Sequence, residues 1–130
     1  ASDNSWTRIL WHSRKSGTDG SSSSNIQYDN GYFYNRSGGT RIVFLTTNIR
    51  LEEHSHNNIH YGISGQIKSA NQGTLIDGYL RTDHDEHKNL NLTHIGYWGD
   101  DDRLEIVTAL NTAGTTWKIN TNTTVSIFII

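Results

Sequence analysis

Short stretches of alternating apolar and polar residues recur along the whole chain, separated by polar turns rich in glycine, asparagine and aspartate. Alternation with a period of two is typical of a strand that buries one face. The stretches that fit a strand are 5–15, 26–35, 40–51, 59–69, 74–82, 90–98, 103–111, 116–120 and 123–130. Because the stretches are short and no helical stretch interrupts them, they predict an all-β fold of about eight to ten strands.

Local signals refine this pattern. Asn30 and Gly31 stand between tyrosine-rich stretches and predict a tight hairpin, because both residue types tolerate a positive φ. The run IVFL at 42–45 is apolar on both faces, as in the central strand of a sheet. Three polar segments are predicted to be loops: 16–25, 52–58 and 83–89.

The sequence TTVSIFII at 123–130 is largely apolar on both faces of a strand. The apolar residues are Val125, Ile127 and Ile129 on one face, and Phe128 and Ile130 on the other. Burying each such side chain is worth roughly 1.5–3 kcal/mol, and a wet apolar stripe invites aggregation. We therefore expect one face to pack in a core and the other to meet neighbouring subunits. The alternative is that the loop at 16–25 covers the second face.

Composition narrows the class of protein. The 130 residues predict one domain, with 1–5 as a short N-terminal leader and 6–130 as a single jelly-roll domain. A hydrophobic content of 33% suits a thin two-sheet sandwich. The net charge of -2, without a basic run, gives no reason to expect a nucleic-acid partner. The apolar tail is shorter than the roughly 20 residues of a membrane-spanning helix, so no membrane insertion is expected.

The last forty residues resemble the jelly-roll superfamily of the complement globular head and tumour necrosis factor. The resemblance lies in HIGYWGD (94–100), RLEIVTAL (103–110) and TVSIFII (124–130), about a third of the chain. These are a strand ending at Gly-Asp, an alternating strand, and a closing apolar strand with an aromatic residue. The extra residues Asp101 and Asp102 lengthen the turn, and the N-terminal half does not match the usual opening motif. An unrelated viral jelly roll is the alternative.

The resemblance implies a two-sheet antiparallel jelly-roll sandwich, tumour-necrosis-factor-like, that forms a homotrimer. The terminal strand would lie deep in the assembly, beside the threefold axis. The residues assigned to the trimer interface are Val125, Ile127, Phe128, Ile129, Ile130 and Trp98.

Aromatic side chains near the predicted hairpin suggest a ligand site. Tyr32 and Tyr34 are the candidate ligand-binding residues, because aromatic rings beside Asn or Asp stack on the apolar face of a sugar. Trp98, before the acidic turn, is a further candidate for stacking. The alternative for each is an ordinary structural role in a β-sandwich.

Polar clusters suggest metal binding less strongly. His54, His56 and His60, and the segment 83–87, combine imidazole and carboxylate groups at short spacing. GDDD at 99–102 offers the hard oxygen ligands that calcium prefers. Solvated loops and a solvated turn explain these segments better, so no metal and no cofactor is predicted.

Catalytic motifs are not found. Cysteine is absent and no serine lies in GxSxG, while Asp77, Asp83 and Glu105 are acids that nothing singles out. The prediction is therefore no catalytic residues and no enzyme activity.

These observations predict a non-enzymatic homotrimeric virion surface protein, made in the host cytoplasm. It would be a bacteriophage capsid decoration protein or a fibre-head domain that binds capsid protein or a host-surface receptor, glycans included. The setting follows from the lack of cysteine, of a signal peptide and of a collagen stalk. The alternatives are an extracellular carbohydrate-binding lectin or adhesin head and a small cupin-like metal enzyme.

Overall fold

The structure is a computed structural model that describes residues 6–10, 13–18, 25–51, 61–82, 88–110 and 123–130. Within these residues the regular elements are ten strands. They are β1 (Thr7–Arg8), β2 (Ser13–Thr18), β3 (Ile26–Asp29), β4 (Tyr32–Asn35), β5 (Arg41–Leu51), β6 (Tyr61–Ser69), β7 (Gly73–Thr82), β8 (Lys88–Trp98), β9 (Arg103–Leu110) and β10 (Thr124–Ile129). The predicted strand at 116–120 and the predicted loop at 52–58 lie outside the described residues.

The strands form two sheets that pack face to face. The first sheet has the order β3-β4-β9-β6-β7, with β1 also paired to β9, and the second has the order β2-β10-β5-β8. Along the chain, β5 belongs to the second sheet, β6 and β7 to the first, β8 to the second, β9 to the first and β10 to the second. Repeated crossing between two sheets is the arrangement of a jelly roll. The predicted all-β sandwich is confirmed, and one pair among the described strands is parallel, β2 with β10.

The core lies between the sheets and is made of alternate residues on each strand. In β5, for example, Val43, Leu45, Thr47 and Ile49 are buried, while the residues that alternate with them face the outer surface. The buried apolar residues of the core are Ile9, Ile26, Phe33, Val43, Leu45, Ile49, Ile63, Ile67, Leu90, Leu92, Trp98, Leu104, Ile106, Val125, Ile127 and Ile129. The period of two in the sequence therefore marks the inward face of each strand.

The predicted hairpin at 26–35 is confirmed. β3 pairs antiparallel with β4, and Asn30 and Gly31 at the turn have φ of 49° and 92°. A Cβ at Gly31 would also lie 2.9 Å from the carbonyl oxygen of Ile9. Glycine is needed at this position for two reasons: φ is positive, and the backbone of Ile9 lies too close for a side chain.

The N-terminal region differs from the prediction. The stretch 5–15 is not one continuous strand. β1 ends at Arg8, Ile9 and Leu10 lie outside any strand, and β2 begins at Ser13. β2 continues to Thr18 and so runs into the segment predicted as a loop at 16–25. The polar sequence of β2 gives no sign of a strand. Its pairing with β10 depends on backbone hydrogen bonds and not on apolar side chains. The described part of the chain contains no helix long and apolar enough to cross a membrane.

Candidate functional site

β10 lies inside the second sheet and not at its edge. It pairs in parallel with β2 on one side and antiparallel with β5 on the other. Its partners in β5 include Phe44, which lies opposite Phe128, and Leu45, which lies opposite Ile127. One face of β10 therefore meets the core, and the other lies in the middle of the sheet's outer surface.

Four of the six residues predicted at a trimer interface are corrected to core residues. Val125, Ile127 and Ile129 point between the sheets and are at most 1% exposed. Trp98 is 0% exposed and belongs to the same core. These side chains have no free surface for a neighbouring subunit or for a stacked sugar.

The other two predicted interface residues lie on the outer surface of the second sheet. Phe128 and Ile130 are exposed there beside four more large hydrophobic side chains. The six residues, named the outer apolar face, are Ile42, Phe44, Ile95, Tyr97, Phe128 and Ile130. Their exposed fractions run from 37% at Phe128 to 72% at Ile130.

Strand register arranges the outer apolar face in two rows across β10, β5 and β8. One row is Phe128, Phe44 and Ile95, which lie opposite one another in register. The second row contains Tyr97 opposite Ile42, and the backbone N–H of Ile130 donates to the carbonyl oxygen of Ile42 at 3.0 Å. The six side chains therefore form one continuous block.

The same surface turns polar beyond this block. The next row contains Ser126, Thr46 and Thr93, whose two threonine hydroxyls lie 3.2 Å apart in a hydrogen bond. Asn48 and Asn91 form part of the row after that. The apolar block is thus confined to one end of the sheet, and in these rows β10, β5 and β8 carry no charged residue, whereas Lys15 of β2 lies opposite Ser126.

Sequence reasoning found only the β10 members of this face. The signal for Ile42 and Phe44 was present, because the run at 42–45 is apolar on both faces of its strand. Ile95 and Tyr97 also alternate with inward residues of β8. The sequence alone does not show the strand register that brings β10, β5 and β8 together.

Tyr32 and Tyr34 lie in a second cluster, on the outer surface of the first sheet. The guanidinium carbons of Arg8 and Arg103 lie 4.1 and 4.2 Å from the centre of the Tyr32 ring. Arg36 lies 4.5 Å from the centre of the Tyr34 ring. Arg8 also donates to the Tyr32 hydroxyl at 2.8 Å, and a hydrogen bond with Tyr34 raises the pKa of Arg103.

This arginine–tyrosine cluster links β1, β4 and β9. Each exposed cation–π contact is worth about 0.5–1 kcal/mol, so the cluster favours a structural role for the two tyrosines. A sugar stacking on either tyrosine would share the ring with a guanidinium that is already in place. Beside the cluster, a cleft of about 290 Å³ is lined by Lys68, Arg103, Glu105 and Tyr32 among others.

The acidic turn GDDD is only partly solvated, in contrast to the prediction. Asp100 and Asp101 are exposed, and Asp101 pairs with Arg36 at 2.9 Å. Asp102 is buried, where its carboxylate accepts hydrogen bonds from the Ser69 hydroxyl and from the backbone N–H of Asn71 and Arg103. The protein's own donors thus occupy the carboxylate of Asp102.

The histidine clusters at 54–60 and 84–87 lie outside the described residues. His94 is described, and burial lowers its pKa. Its Nε2 atom is buried and has no hydrogen-bond partner among the residues that the structure describes. Within the same residues, no group of three or more His, Cys, Asp or Glu side chains is placed to hold a metal ion.

A shallow groove of about 240 Å³ lies on the outer surface of the first sheet, beside β6 and β7. It is lined by Trp6, Ser64, Gln66, Asp77, Gly78 and Tyr79. Sequence reasoning did not single out Trp6 or Tyr79, and it considered Asp77 only as a possible catalytic acid. Neighbouring strands bring these residues together, so their spacing along the chain carries no signal.

No family model matches the chain, and no curated protein matches it. The functional reading therefore depends on the geometry of these surfaces.

Proposed function

We propose that this chain is a non-enzymatic binding module that assembles as a homotrimer through the outer apolar face. The observation that carries the proposal is the continuous block of six exposed hydrophobic side chains on β10, β5 and β8. Monomers rarely expose apolar patches larger than a few hundred Å², and larger ones mark interaction sites. Covering one fully exposed side chain of this size gains roughly 1.5–3 kcal/mol.

A second copy of the chain is the partner that this surface suits best. The two rows of the outer apolar face carry no charged residue on β10, β5 and β8, and the polar row beyond them includes Lys15 of β2, opposite Ser126. Such a surface meets its own copies without repulsion between like charges, whereas a specific foreign partner usually shows complementary charge. The number of copies, three, comes from the resemblance to the complement-globular-head and tumour-necrosis-factor superfamily.

Two substitutions on β8 test the assembly. Ile95→Asp and Tyr97→Asp place a charge on side chains that are already 61% and 71% exposed, so the single chain tolerates them. In the trimer each charge would be buried without a partner, which is costly. We expect the solution mass to fall from about 44 kDa, three times the 14.7 kDa of one chain, towards that of one chain.

Asn91→Asp is the matched control. Asn91 lies on the same face of the same strand, at the polar end, and is exposed. It should leave the trimer intact. Loss of the trimer in this control, or its persistence in both β8 variants with normal far-UV circular dichroism, would refute the proposed face.

We further propose a virion surface as the setting, with the trimer binding capsid protein or a host-surface receptor. A trimer joined by the second sheet leaves the first sheet and its loops facing outward, which supports such a role. Labelling of purified virions by an antibody against the chain would support this setting. Labelling confined to secreted, virion-free material would favour the extracellular lectin or adhesin head instead.

A further inference from the structure

The groove beside β6 and β7 combines two exposed aromatic rings with polar groups. Trp6 is 49% exposed and Tyr79 is 60% exposed, and both line the groove. It belongs to the first sheet, whereas the outer apolar face belongs to the second. The two surfaces are therefore on opposite sides of the sandwich, and assembly through one leaves the other open.

The Tyr79 ring lies down on the sheet because its neighbour is glycine. A Cβ built at Gly62 would collide with the Tyr79 hydroxyl and ring atoms. Glycine inside a strand normally weakens it and often marks a close approach of another group. Here it lets the ring lie against the backbone of β6 while most of the side chain stays in contact with water.

A carboxylate and an amide are held together beside the rings. Gln66 and Asp77 are opposite one another in register, and Gln66 Nε2 donates to Asp77 Oδ1 at 2.6 Å. This bond fixes the carboxylate on the strand surface. Asp77 is exposed, so its carboxylate can also meet the hydroxyl groups of a ligand.

We propose that this groove binds a neutral pyranose unit of a glycan. An aromatic ring offers a flat apolar surface for the C–H face of the sugar, and the carboxylate accepts hydrogen bonds from its hydroxyl groups. The negative charge of Asp77 disfavours an acidic sugar. The groove is smaller than the roughly 300–1,000 Å³ of sites for drug-sized ligands, which suits a single sugar ring.

A glycan array followed by titration in solution tests the proposal. The wild-type protein, in its native assembly, is applied to an array of neutral and acidic glycans. The terminal monosaccharide of the best neutral glycan is then titrated and followed by NMR. We expect Trp6→Ala and Tyr79→Ala each to weaken the binding about tenfold or more, the loss of one stacked ring. Gly62→Ala should also weaken it, because the added methyl group displaces the Tyr79 ring.

Tyr97→Ala is the matched control, since Tyr97 is also a largely exposed tyrosine but lies on the opposite sheet. It should leave the titration of the monosaccharide unchanged, even where it weakens the trimer. Tyr79→Ala should have the opposite effect: the mass of the assembly stays the same, and binding of the monosaccharide is lost. Failure of the glycan site and failure of the trimer are thereby distinguished.

Three results would overturn the proposal. The first is no signal on the array together with no NMR shift at millimolar monosaccharide. The second is full binding in correctly folded Trp6→Ala and Tyr79→Ala. The third is a preference for acidic glycans over every neutral glycan on the array, since the carboxylate of Asp77 should disfavour them.

Discussion

Asn35 shows how much one buried polar side chain organises in this protein. Its Nδ2 group donates to the carbonyl oxygens of Gly39, Trp98 and Gly99 at 2.9–3.0 Å. Its Oδ1 atom accepts from the backbone N–H and the hydroxyl of Ser37. The residue is fully buried and ties the turn after β4 to the acidic turn after β8.

Asn35→Asp should therefore destabilise the fold strongly. The new carboxylate oxygen would face three carbonyl oxygens without a proton to share, at a cost of at least about 3 kcal/mol. Asn91→Asp, the same change at an exposed position, should change the free energy of unfolding by less than about 0.5 kcal/mol. Urea unfolding at one fixed protein concentration measures both, and an equal loss in the two variants would contradict this role for Asn35.

His94 should make stability depend on pH. Burial lowers its pKa below the ordinary 6.5, so the folded state resists protonation more than the unfolded state does. As the pH falls below that value, the unfolded state takes up the proton first and the folded state loses stability. We expect urea unfolding of the wild type to lose more stability between pH 8 and pH 5 than that of His94→Gln. If the difference in free energy of unfolding between the two proteins did not change with pH, His94 would not be the cause.

At the scale of the strands, two glycines allow the sheets to approach. Gly65 on β6 and Gly78 on β7 are opposite in register, and both face leucines of β8. A Cβ at Gly65 would lie 2.8 Å from Leu90 Cδ2, and one at Gly78 would collide with Leu92. Leucine side chains from the second sheet thus fill the space that these glycines leave.

Gly78→Ala should overpack this contact and cost about 1–3 kcal/mol. Gly39→Ala is the control, because a Cβ there has no neighbour within 4 Å. We expect the control to lie within about 0.5 kcal/mol of the wild type. Thermal unfolding compares them, and an unchanged midpoint in Gly78→Ala would show that the sheets adjust without cost.

The strands were predictable where their own side chains carry the pattern. β5 alternates buried and exposed residues over its length, and Asn30 and Gly31 fix the hairpin between β3 and β4. β2 was partly missed, because its SRKSGT sequence looks like a polar loop. Its structure comes from a partner more than a hundred residues away along the chain, which no local pattern contains.

At the scale of the whole molecule, the candidate sites are products of sheet assembly. Phe128 and Ile130 could be proposed from the closing sequence, but Ile95 and Tyr97 join them only through the register of β5 with β8. Likewise, Trp6 and Tyr79 are far apart in sequence and meet at one groove. Trp98 was misassigned for a related reason, since its position before an exposed turn gives no sign that it points into the core.

The sandwich therefore offers two surfaces with different chemistry. The second sheet presents an uncharged apolar block that suits other copies of the chain. The first sheet presents a groove with aromatic rings and a carboxylate. Placed on opposite sides, they allow the chain to assemble and to bind a ligand at the same time.

The solution mass of the wild-type protein tests the central claim most directly. Sedimentation equilibrium over a wide range of concentrations should give about 44 kDa, with a single chain of 14.7 kDa appearing only on strong dilution. A folded, soluble species of 14.7 kDa at every concentration would contradict it, since the outer apolar face would then be stable in water without a partner.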